Sequence, residues 1–62
     1  MRVGEIYKKN HTDEYIIIKN EASGLSNKVE IIIANSLNNT CEEYFSEREA
    51  LIKYLEECTL IN

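Results

Sequence analysis

Apolar residues recur along this chain with two periods, and the switch between them divides it. Up to residue 45 the apolar positions come in short β-branched and aromatic runs, Val3–Lys8, Glu14–Lys19, Val29–Ala34 and Thr40–Phe45, separated by polar stretches. Such runs predict four strands. From Ser46 the spacing changes to three and four residues, and this predicts one amphipathic helix over 46–57. Ser46 and Glu49 stand in the relation of a capping box, with the serine hydroxyl taking a first-turn N–H and the glutamate reaching back. Leu51, Ile52, Leu55 and Cys58 share a stripe roughly 120° wide, while Glu49, Lys53, Glu56 and Glu57 fall opposite. Thr59–Ile61 is long enough for a short closing strand.

The connections carry turn chemistry. Residues 9–13 and 20–27 are polar, with Gly24 free to take positive φ, and Asn38–Asn39 suits a left-handed turn. Gly4 within the first apolar run implies a bulge or tight bend. The order is β-β-β-β-α-β, an α+β domain over residues 1–62 with one C-terminal helix.

The triplets Ile16–Ile18 and Ile31–Ile33 make two strands apolar on both faces, since successive side chains point opposite ways. One helix covers one face. The sheet must therefore curl into a small barrel or bury its second face against another copy, and a homodimer is expected on that count. The expected core is Ile17, Ile31, Ile33, Phe45, Leu51, Ile52 and Leu55. The pattern resembles the SH3-like small barrels found among short phage and prophage proteins. It does so in the opening Val3-Gly4-Glu5-Ile6-Tyr7, the Tyr-plus-Ile second strand, the Phe45-Ser46 step into a late helix and the terminal Leu60-Ile61. The resemblance implies a curled antiparallel sheet or barrel and a phage or mobile-element origin. It implies no activity.

Charge changes the picture most. Five acids and five bases balance over residues 1–40, whereas residues 41–62 hold Glu42, Glu43, Glu47, Glu49, Glu56 and Glu57 against Arg48 and Lys53, so the net charge of −4 lies in the last third. Two acids of the first helical turn complement the helix dipole, and two of the last turn oppose it. Lys53 is placed to offset Glu49 and Glu57 at i,i+4 spacing. Such a face is accounted for as a solvated surface, or it is an acidic docking surface for a basic protein, formed by Glu42, Glu43, Glu49, Lys53, Tyr54, Glu56 and Glu57. Two alternatives remain: a nucleic-acid-binding face of Lys8, Lys9, Lys19 and Lys28 with Tyr7 and Tyr15 as stacking groups, and a structural subunit whose role is its own assembly.

Enzymatic chemistry finds little material. His11 beside Asp13 is the one acid–base pairing, with no nucleophile or phosphate loop to accompany it. Cys41 and Cys58 have neither CxxC spacing nor histidine partners, so no metal and no cofactor is expected, and glutamates beside both oppose thiolate formation. No signal peptide or membrane span is apparent, and a cytoplasmic protein with free thiols is expected.

Overall fold

The computed structural model describes residues 1–21 and 27–62; the glycine turn expected at Gly24 lies outside them. Five antiparallel strands and one helix form in chain order: β1 (Ile6–Lys9), β2 (Glu14–Asn20), β3 (Lys28–Asn35), β4 (Thr40–Glu47), α1 (Arg48–Leu55) and β5 (Cys58–Leu60). The sheet order is β4-β3-β2-β1-β5. Consecutive strands pair as a meander, and α1 then carries the chain across one face to lay β5 beside β1.

The sheet is open, and the expected barrel does not close. Closure requires the two edges to pair under strong coiling. Here one edge, β4, has eight residues and the other, β5, has three. The register among the described strands shifts once, between Ile18 and Asn20.

Register decides which isoleucines are inside. Ile16 stands opposite Ile33 and Tyr7, Ile18 opposite Ile31, and Ile31 opposite Tyr44. On this face α1 packs, and Ile16, Ile18, Val29, Ile31 and Leu51 are buried with Met1, Tyr7, Ile33, Tyr54, Leu55 and Cys58 around them. Three residues of the expected core lie elsewhere. Ile17 opposes Ile6 and Ile32 on the far face and is half-buried, and Phe45, one residue out of phase with Tyr44, is 72% exposed. Ile52 is 49% exposed because the helix presents Leu51, Tyr54 and Leu55 instead, an i, i+3, i+4 set.

The helix also begins later than its capping box. β4 keeps pairing with β3 through Glu47, so Ser46 is still a strand residue opposite Val29. Glu47 is the N-cap, extended at φ −66° and ψ 140°, with no side-chain hydrogen bond to the helix. The Ser46 hydroxyl donates to the Glu47 carbonyl (3.2 Å), and the Arg48 N–H is taken by the Asn27 carbonyl (2.8 Å). A neighbouring strand end thus does the work of the cap. At the other end Glu57 N–H donates to Tyr54 O (3.2 Å), and Glu57 O accepts from Asn10 N–H (2.9 Å), which ties the helix to the β1–β2 turn.

Turns behave as their residues require. Gly4 makes a tight bend at φ +93°, and its N–H reaches Ile18 O at 2.8 Å. Asn39 is left-handed at φ 54°, while the Asn35 carboxamide accepts the Leu37 and Asn38 N–H groups. His11 is left-handed too, at φ 65°.

Candidate functional site

A helix of eight residues is about 12 Å long, whereas the eight residues of β4 extend for about 27 Å. From the Val29 end of the sheet, α1 crosses to the β1–β2 turn and leaves one corner of the inner face bare. There a groove of about 360 Å³ opens, with Ile31, Ile33, Ala50 and Leu51 as apolar lining, Tyr44 and Tyr54 as aromatic lining, and Phe45 and Ser46 along its β4 wall. It continues into a recess of about 180 Å³ among Glu14, Ile33, Asn35, Thr40, Glu42 and Tyr44.

Two phenol–carboxylate pairs mark this corner. The Tyr54 hydroxyl donates to Glu14 and the Tyr44 hydroxyl to Glu42. Burial, then the bond to Glu14, pushes the Tyr54 phenol far above its ordinary range, and the bond to Glu42 raises Tyr44. The Lys9 ammonium lies 5.1 Å from the Tyr54 ring centroid, a cation–π contact. Apolar and aromatic walls beside two carboxylates suit a side chain with an aliphatic stem and a cationic head.

The residues expected to form a docking surface divide into four places. Lys53, Tyr54, Glu56 and Glu57 meet around a shallow concavity of about 380 Å³ on the outer side of α1. Glu49 is exposed in the helix's first turn, and Glu42 faces the helix side of β4. Glu43 does not join them: strand parity turns it to the far face, where it binds Lys19, which also pairs with Glu30 at 3.7 Å. Among the described residues Glu42, Glu49, Glu56 and Glu57 make no ion pair, and Lys53 does not bridge Glu49 or Glu57. Fully solvated lysine and glutamate chains gain little from fixing one geometry.

Glu14 escaped the sequence reading. It shares strand parity with Ile16 and Ile18, which would have placed it beneath the helix had the buried face been known. His11 is exposed, and with Lys9 and Asn10 it lines a concavity of about 480 Å³ against Glu56 and Glu57.

The basic alternative is dispersed. Tyr7 and Tyr15 occupy opposite faces, because Tyr7 opposes Ile16 while Lys8 opposes Tyr15. Lys9 lies over Tyr54 and Lys19 is committed to carboxylates. Cys41 is exposed on the far face and Cys58 is half-buried at the start of β5. Burial holds the Cys58 thiol above its ordinary pKa, with Glu14 and Glu57 adding to the effect and Lys9 opposing it. Among the described residues no group of three His, Cys, Asp or Glu is placed to hold a metal ion, and no helix is long and apolar enough to cross a membrane. Comparison with known proteins finds no matching family, no similar curated protein and no similar solved structure.

Proposed function

We propose that the chain is a non-enzymatic interaction protein of phage or mobile-element origin, acting in the cytoplasm, that binds and modulates a host or defence protein through an acidic face. The observation that carries this reading is the uncompensated charge around α1. Glu56 and Glu57 line the concavity beside Tyr54, Glu42 lines the recess beside Tyr44, Glu49 is exposed in the first turn of α1, and none of the four has a cation within ion-pair distance among the described residues. Complementary charge directs encounter with a basic partner, and the tyrosines supply contact area once it arrives. The phage origin rests on the sequence resemblance alone.

A library of lysine- and arginine-bearing peptides tests the reading. The native chain should select basic members, with binding that weakens on going to roughly 0.15 M salt. A Glu42→Lys/Glu56→Lys/Glu57→Lys variant that retains its fold should lose that selection. Equal binding by both chains would refute the acidic face.

A second reading concerns the far face and adds to the first. Ile6, Ile17 and Ile32 form a row across three strands there, flanked by exposed Phe45 and Ile61. Its ion pairs are internal, Lys19 with Glu30 and Glu43. Two acidic molecules can meet on such a neutral apolar face without bringing their acidic sides together, and homodimerisation through it is proposed.

A further inference from the structure

We infer that β4 receives an extended basic segment of a partner protein as a sixth strand of the sheet. This rests on the acidic-face reading and adds how, and by what kind of segment, that face is engaged. β4 is the long open edge: eight residues, paired on one side with β3, with no strand beyond it among the described residues. An edge of this kind offers a row of backbone donors and acceptors that another chain can take up. The opposite edge, β5, has three residues and is too short for the purpose.

Charge selects the occupant. Glu42, Glu43 and Glu47 lie along β4, Glu43 being held by Lys19, and no basic residue falls within Thr40–Glu47. A second copy docking by the same strand would bring two such rows together, whereas a segment with lysine or arginine at alternate positions would set its cations on the helix side, beside Glu42. Alternation also matches the surroundings. Residues of the incoming strand on the helix side meet Tyr44 and the 360 Å³ groove, which takes an aliphatic stem, and the adjoining 180 Å³ recess, where Glu14 and Glu42 offer carboxylates to a cationic head. Residues on the other side meet the exposed Phe45. Acidic residues on an edge also guard against indiscriminate pairing, and the two roles agree: the edge repels neutral and acidic strands and admits basic ones.

Three short peptides offered to the native chain at low ionic strength decide the matter: one alternating lysine and valine, one with glutamate replacing lysine, and one with proline replacing an adjacent lysine and valine at the centre and a lysine appended to keep the charge, so that a ladder N–H is lost in either register. Binding is read by fluorescence anisotropy, and the β4 amides by hydrogen exchange. The lysine–valine peptide should bind and slow exchange at those alternate β4 amides that β3 leaves free. The glutamate peptide should not bind. The proline peptide keeps the charge but cannot complete the ladder, and should bind at least about tenfold more weakly, the worth of one or two net backbone hydrogen bonds. Binding without β4 protection, or equal binding of the proline peptide, would overturn strand addition and leave the acidic face standing. No binding of the lysine peptide would overturn both. Alternate β4 amides already protected in the concentrated free protein would mean that a second copy holds the edge.

Discussion

Three of the four tyrosines donate to a glutamate: Tyr7 to Glu5 at 2.8 Å, Tyr44 to Glu42, and Tyr54 to Glu14. The first two pairs are two residues apart in the chain, Glu42 and Tyr44 on β4 and Glu5 just before β1. The third joins residues forty apart and depends on where the helix lands. Each bond favours the protonated phenol, and the Glu5 carboxyl is in turn held below its ordinary value by Tyr7, then by the Arg2 N–H. The signs set two limits. Raised phenol pKa values stabilise the fold below pH about 10 and lose that contribution as pH climbs through the raised values. The lowered Glu5 value contributes above about pH 4.5 and is lost as pH falls through it. Circular dichroism across pH should therefore show unfolding in strong alkali, with part of the tyrosinate absorbance rising only as the fold is lost. Tyr54→Phe should destabilise the chain by about 1 kcal/mol at neutral pH and make its stability fall less steeply above pH about 10, because the phenol whose raised value drives that loss is gone; an unchanged alkaline slope would separate the Glu14 bond from stability.

At the scale of elements, existence and type were legible and phase was not. Strands two and three were clear from β-branched content, but an Ile triplet is apolar on both faces and cannot say which side is inside. The helix that breaks the tie was itself misphased, because Ser46 satisfies the capping pattern locally while β3 holds it in the strand. Tertiary pairing overrode a local signal. Substitution separates the phases: Ile16→Ala should cost about 3 kcal/mol and Ile17→Ala well under half of that, read by denaturant midpoints. Equal costs would mean that both faces are covered. Likewise Ser46→Ala should change stability by less than about 0.5 kcal/mol, since no cap is lost; a loss of about 1 kcal/mol would restore the capping role.

For the whole molecule, the candidate site was only partly visible in the sequence. Acid excess in the last third was plain, and Glu42, Glu49, Glu56 and Glu57 followed from it. Glu43 was grouped with them because adjacent glutamates look alike until parity sends them to opposite faces. Glu14 was missed because it belongs to the charge-balanced part of the chain and joins the site only in space. The excess of apolar residues over what one helix covers was legible too, and light scattering tests its consequence. Mass should rise from 7.2 kDa toward twice that value as concentration increases, and Ile17→Lys/Ile32→Glu should hold the chain at the lower mass. Monomer at every concentration would show that the far face tolerates water.

The strand order also implies a sequence of events. β1 to β4 are neighbours along the chain and can pair as successive hairpins, each closing a short loop. β5 finds β1 only across most of the chain, joining Tyr7 to Leu60 and Lys9 to Cys58. Long-range pairing pays its loop-closure entropy before any contact rewards it, so the meander should assemble first and β5 should dock last. The same three residues should then be the first to let go. In native-state hydrogen exchange the β5 amides should open at lower free energy than those of β2 and β3, and matching rates throughout would mean that the sheet opens as one unit.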